Sequence, residues 1–283
     1  MNRLTLALSL LVAACGGSGN GGNGNGDGGV GDGGFGDGDF YDACVGLCAD
    51  APPFSGDCDP QGAQCADCVD NDGDGATDGF DIHCSGPLDD DESSFATGIP
   101  GDNIDPVQQD CFFDGNSGAG NDRCNIHVCC ILGAETKAEC PIGANTYKPE
   151  DCPPPLGNDP LPQQCIDVCG PLTPPGCDCF GCCTVCDASN NCYDIAASAS
   201  PTCNETNLAD PAACLRCEKT ESCGNTECGG DTCILCPGQT EADLPAGCNG
   251  NNTCPTGLTA CDAENACAGG TFCSNGCCIN VIQ

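Results

Sequence analysis

The sequence predicts a small disulfide-rich fold: mostly irregular loops, short strands, one or two short helices and no large hydrophobic core. Three observations carry that expectation. Of 283 residues, 35 are cysteine, and a density of about 12% marks a scaffold held by cross-links. Leu (16), Ile (11), Val (9) and Phe (9) make up only about 16% of the chain, with no Trp, too little to pack a sizeable core. Asp and Glu number 42 against 6 Lys and Arg, a formal charge of -36, and a chain so poor in apolar residues and so charged does not fold without staples. The same charge repels nucleic acid and anionic lipid heads, so no nucleic-acid partner is expected.

The N-terminus reads Met1-Asn2-Arg3, then an uncharged run from Leu4 to Ala14, then Cys15. A basic start, a short apolar run and a small-residue exit form a secretory signal over residues 1–14; the run is too short to span a bilayer. Val12-Ala13-Ala14-Cys15 resembles the bacterial lipobox, which implies that Cys15 is diacylated and becomes the mature N-terminus. Taking Cys15 from the 35 leaves 34, an even number that can pair completely in an oxidising compartment. Residues 15–42 then hold the lipidated Cys and a tether of Gly-Asn and Gly-Asp steps, a flexible coil spanning roughly 25 to 30 Å. Gly16 after the lipid Cys resembles the signal for export to the outer membrane, so the expected location is the cell envelope, lipid-anchored at that membrane.

After the tether, composition divides the body in two. The stretch Pro153-Pro154-Pro155-Leu156-Gly157-Asn158-Asp159-Pro160-Leu161-Pro162 holds five prolines in ten residues, which favours an extended spacer. It sets an acidic domain at 43–152, a linker at 153–164 and a Cys-dense domain at 165–283, with 12 and 22 cysteines on the two sides. Cys44-Val45-Gly46-Leu47-Cys48 places two cysteines on one face of a helical turn. Asp210-Pro211 followed by Ala212 to Lys219 predicts a short helix, with Asp as N-cap and Pro at the first position. The adjacent pairs Cys129-Cys130, Cys182-Cys183 and Cys277-Cys278 cannot close on themselves without strain, so each should tie one point of backbone to two other segments.

The strongest chemical motif is Asp70-Asn71-Asp72-Gly73-Asp74-Gly75-Ala76-Thr77-Asp78-Gly79-Phe80-Asp81. As a twelve-position calcium loop it offers side-chain oxygens from Asp70, Asp72, Asp74, Asp78 and Asp81, the carbonyl of Ala76 at position seven and a glycine at six. Calcium takes six to eight hard oxygens, and clustered carboxylates need a cation to relieve their repulsion. The stretch resembles the thrombospondin type 3 repeat and, more loosely, EF-hand loops, whose Asp ligands map onto those five residues. It departs from them in having no tandem copy, no flanking amphipathic helices and Asp at position twelve. Asp81 reaches less far than Glu, so a weak affinity on the order of 10⁻⁴ to 10⁻³ M is expected. Cys68 and Cys84 bracket the loop and take the place of the helices.

Other acid-rich places read more plainly. Asp114, Asn116, Asn121 and Asp122 follow no loop template and read as a turn cluster; Asp89-Asp90-Asp91-Glu92 reads as a solvated charge run. Cys214-x-x-Cys217 and Cys233-x-x-Cys236 have the spacing of a four-thiolate zinc site, but so dense a cysteine region produces such pairs by chance, and zinc is not expected. No nucleophile elbow, zinc-protease helix or phosphate loop is present. His83 and His127, the only histidines, read as surface residues in turns, so no enzyme is expected.

Cys68 to Gly75, Gly98-Ile99-Pro100-Gly101-Asp102-Asn103, Asp110-Cys111-Phe112-Phe113-Asp114-Gly115-Asn116-Ser117 and Gly176-Cys177-Asp178-Cys179-Phe180-Gly181-Cys182-Cys183 together resemble an uncharacterised family of cysteine-rich lipoproteins of myxobacterial type. The resemblance implies the envelope address and no activity. The sequence therefore supports a lipid-anchored, calcium- and disulfide-stabilised structural, adhesion or binding module, contacting the membrane through its anchor and an envelope or extracellular protein or polysaccharide. The alternative is an inhibitor-like or toxin-like disulfide scaffold whose loops block another protein.

Overall fold

A computed structural model describes residues 59–280 apart from 99–102, 106, 115–122, 225–226, 230–231, 249–253, 256, 263–264 and 266. The signal, Cys15, the tether, the Cys44–Cys48 turn and Asn116, Asn121 and Asp122 lie outside the described residues. Those described belong to one compact unit, residues 50–283.

Regular structure is sparse, as glycine, proline and aspartate at every few positions dictate. Strands β1 (Asn103–Asp105), β2 (Gln108–Asp110) and β3 (Asn125–His127) form a small antiparallel sheet in that order. Helix α1 (Val128–Ile131) follows at once, its first turn capped by His127, whose Nδ1 accepts the Cys129 N–H at 3.2 Å. Helix α2 (Gln163–Cys169) is seven residues long. Two hairpins complete the set: β4 (Cys182–Cys186) with β5 (Cys192–Ala196), and β6 (Thr271–Ser274) with β7 (Cys277–Asn280). The turn of the second is Asn275-Gly276, both at positive φ (49° and 75°), the backbone that a two-residue hairpin turn requires.

Disulfides supply what the strands do not. Fifteen join described cysteines, and Cys68 is disulfide-bonded as well. Each adjacent pair reaches two segments, as expected: Cys129 to Cys140 and Cys130 to Cys152, Cys182 to Cys217 and Cys183 to Cys177, Cys277 to Cys254 and Cys278 to Cys267. The largest core cluster is built mainly of half-cystines around Phe180, Tyr147, Ile126, Ile131 and Leu172. The Tyr147 hydroxyl, fully buried there, donates to the Ala134 carbonyl.

Two local expectations give way to tertiary structure. At Asp210 the chain makes one turn, with Ala212 N–H on Asp210 Oδ1 and Cys214 N–H on Asp210 O (both 2.9 Å). It then leaves the helical path, because Leu215 N–H goes to Ser200 Oγ, Leu215 O accepts from Ala196, and Arg216 bridges to Ile195 of β5. Cys214 and Cys217 consequently serve different segments, through Cys203 and Cys182.

The stretch 153–164 is not a free spacer. Pro153 and Gly157 are buried, Leu156 and Leu161 pack on the main core, and Pro154 O accepts the Glu221 N–H at 3.1 Å. Cys111–Cys169 and Cys124–Cys165 bridge across it. Upstream and downstream regions also share a second core, in which Phe95 lies with Cys177, Val185, Ile195 and Cys203. Proline rigidity here shapes a docked turn, because apolar Leu156 and Leu161 give the segment something to bury.

Candidate metal centre

The acidic loop is wound by its own side chains. Asp70 accepts the N–H of Gly73 on Oδ1 (2.6 Å) and of Gly75 on Oδ2 (3.1 Å); Asp72 Oδ1 accepts from Asp74 (2.9 Å) and Asp74 Oδ1 from Ala76 (2.7 Å). Each oxygen retains a lone pair for a cation. Gly73 and Gly75 sit at φ of 83° and 102°, values that a side chain would strain. Thr77, Asp78 and Gly79 are buried, and a short 3-10 turn, Asp78–Phe80, delivers Asp81 to the interior.

Beneath the loop lies a residue that local reading assigned to solvent. Glu92 is fully buried, and it accepts the N–H of Asn71 on Oε2 (2.7 Å) and of Asp78 on Oε1 (2.8 Å). Asp89, also fully buried, accepts from Ser85 N–H (3.0 Å) and Ser85 Oγ (2.9 Å). The run Asp89 to Glu92 is thus half internal, because Ser85 donates to Asp89 from four residues away and backbone donors of the loop itself meet Glu92. The sequence signal is the run's position, five residues past Cys84. Cys84 is tied to Cys65, and this link closes the segment carrying the loop in place of flanking helices. Cys68, the expected bracket, donates its N–H to Asp78 Oδ1 at 3.2 Å.

Asp81 is the focus. Its side chain is buried; Oδ1 accepts the His83 N–H at 2.7 Å, while Oδ2 has no hydrogen-bond partner. His83, expected at the surface, is buried. Its Nε2 meets Glu205 Oε2 at 2.9 Å and its ring packs against Phe95 at 4.9 Å. Its Nδ1 stands 3.1 Å from Asp81 Oδ1 without the alignment of a hydrogen bond. Asp72, Asp81 and His83 each bring one ligand atom within 4.8 Å of the others. Asp74 adds its charge to this group, whereas Asp78 turns its carboxylate to Cys68 and Asp67.

The electrostatics follow from crowded, partly dehydrated carboxylates. Burial raises Asp78 to about 6, and burial followed by repulsion from Asp81 and Asp78 raises Glu92 to about 7. Burial, with Asp74 and Asp81 nearby, also raises Asp72. Burial alone would lower His83, but Asp81 and Glu205 outweigh it and lift the imidazole to about 9. The donor set is dominated by hard oxygens, and Asp81 Oδ2 is a buried carboxylate oxygen without a hydrogen-bond partner. Both fit a divalent cation.

Cysteine sulfurs do not compete for it. Cys214, Cys217, Cys233 and Cys236 bond to Cys203, Cys182, Cys248 and Cys228, so the four-thiolate spacing does not assemble. The other cysteine groupings among the described residues are likewise disulfide sulfurs, without the thiolate a metal needs.

No family model, curated protein or solved structure matches the chain. The functional reading therefore stands on the site. Heavy disulfide bonding fits an extracellular or envelope scaffold, and no helix of the described residues is long and apolar enough to cross a membrane.

Proposed function

We propose that the chain is a non-catalytic envelope module, tethered to the outer membrane by lipid on Cys15 and stabilised by calcium in the 70–81 loop. In this role it offers a disulfide-held surface for structural or adhesive contacts with envelope protein or polysaccharide. One observation supports it most: the buried Asp81 carboxylate, with Oδ2 unpartnered, at the end of a loop whose Asp70, Asp72 and Asp74 side chains already wind the backbone. Calcium would be held by Asp70, Asp72, Asp74, Asp81 and the Ala76 carbonyl, with Asp78 acting on the loop through Cys68. The ion supplies the positive charge that lets these carboxylates share a small volume. Weak affinity suits a compartment where calcium is abundant, and the ion would then serve as a permanent structural part.

Calorimetric titration of the metal-free protein with calcium tests the reading. Heat should appear for the wild type and vanish for Asp72→Asn/Asp74→Asn; equal heats sink the loop assignment. Mass spectrometry of the mature protein should find acylated Cys15 and no free thiol.

A further inference from the structure

We propose that the same centre is a mixed nitrogen–oxygen site that also captures a borderline divalent cation of the zinc or cobalt class, through His83 Nδ1, Asp81 and Asp72. The proposal rests on the loop being a cation site, and it changes which cations are admitted. Two buried atoms of this pair lack hydrogen-bond partners, Asp81 Oδ2 and His83 Nδ1, and Nδ1 stands 3.1 Å from the other oxygen of the Asp81 carboxylate. Both residues are more than nine-tenths buried, at 2% and 6% exposure. An orphaned acceptor beside an orphaned ring nitrogen is costly unless something joins them.

The outer partner has the arrangement that metal-bound histidines share. His83 Nε2 is engaged by the Glu205 carboxylate at 2.9 Å, which fixes the ring and leaves Nδ1 to act as the ligand. Histidine ligands usually have such a carboxylate behind them, and it raises the basicity of the coordinating nitrogen. Spacing agrees: His83 Nδ1 and Asp81 Oδ1 are 3.1 Å apart, and neighbouring ligands about 2.0–2.2 Å from a tetrahedral metal stand roughly 3.4 Å apart. Asp72, exposed at the loop surface, completes three protein ligands within 4.8 Å and leaves the outer side open to water. Calcium has little use for an imidazole, whereas zinc and cobalt favour it. On ligation any proton on Nδ1 leaves to solvent, and no other bond changes.

Cobalt(II) is the probe, since its visible absorption reports nitrogen ligation and coordination number. The full-length oxidised protein, freed of metal, is titrated with cobalt and separately with calcium. The wild type should develop the visible band with one equivalent. His83→Gln should lose it while keeping its calcium heat, and Asp70→Asn should keep the band while losing calcium affinity. Should His83→Gln fold poorly, Glu205→Gln leaves the ligands in place and should weaken cobalt on the order of 10- to 100-fold with calcium unchanged. A band of equal strength in His83→Gln, or cobalt affinity indifferent to Glu205→Gln, overturns the proposal. Calcium binding that fails while the His83-dependent band persists overturns the calcium reading alone.

Discussion

Glu92 accepts the backbone N–H of Asp78 on Oε1 at 2.8 Å while its other oxygen accepts from Asn71 at 2.7 Å. One buried carboxylate therefore holds the loop seven residues apart, near its beginning and at its ninth position. In Glu92→Gln one oxygen remains to accept, and the amide nitrogen faces an N–H donor. The lost charged hydrogen bond should cost about 1 to 3 kcal/mol, and calcium affinity should fall on the order of tenfold, because the backbone that carries the loop's carboxylates would lose one of its two ties to Glu92. Calcium calorimetry on wild type and variant decides it; identical dissociation constants would show that the loop organises itself without Glu92.

The Cys65–Cys84 link closes a segment of sequence separation 19 around this loop. By chain entropy, a cross-link of that span is worth about 3 kcal/mol. Cys65→Ala/Cys84→Ala should therefore lower the urea midpoint and raise hydrogen exchange at Gly73 and Gly75, whose amides lie on Asp70. Calcium should recover part of the protection. Exchange at those amides as slow as in the wild type would mean that the anchor lies elsewhere.

How much of this was legible from residues depends on how local each cause is. Cysteine density, the strain of adjacent pairs and the 70–81 ligand order are local, and the fold class and all three adjacent pairs follow from them. Asn275-Gly276 between Ser274 and Cys277 is likewise a local hairpin signal. Glu92 and His83 differ from the sequence reading because their partners, Asn71, Asp78 and Glu205, lie 14 to 122 residues away along the chain, whereas Asp89 turns inward to Ser85, four residues before it, a local bond that composition does not mark. Asp210 begins a helix as its neighbours dictate, but β5 claims Leu215 after one turn. The stretch 153–164 carries linker composition, yet Leu156 and Leu161 find a core to cover.

That last difference has a covalent consequence. With Cys111–Cys169 and Cys124–Cys165 spanning the proline stretch, a protease site engineered at the exposed residues 158–160 should cut the chain without separating it. The product should migrate as one species without reductant and as two with it. Two species on the non-reducing gel would require that each side of 153–164 close its own disulfides.

Asp178 offers a test by pH that is independent of the metal loop. It is fully buried, with Oδ1 accepting from Phe180 (3.0 Å) and Cys182 (2.9 Å) and Oδ2 from Thr220 (2.8 Å). Burial lifts its pKa to about 6, against the pull of these three N–H groups in the other direction. An unfolded aspartate titrates near 3.9, so the folded protein holds this proton more tightly. The stability it contributes is complete below about pH 4 and is lost as pH rises through about 6; the difference corresponds to about 3 kcal/mol. Asp178→Asn cannot titrate there. In urea unfolding without reductant, the wild type should therefore gain on Asp178→Asn as pH falls from 7.5 to 4. Both proteins carry the same acidic loop, so its own titration cancels in the comparison. Midpoints that run parallel over this range would mean that Asp178 stays ionised in the fold, with its three N–H donors outweighing burial.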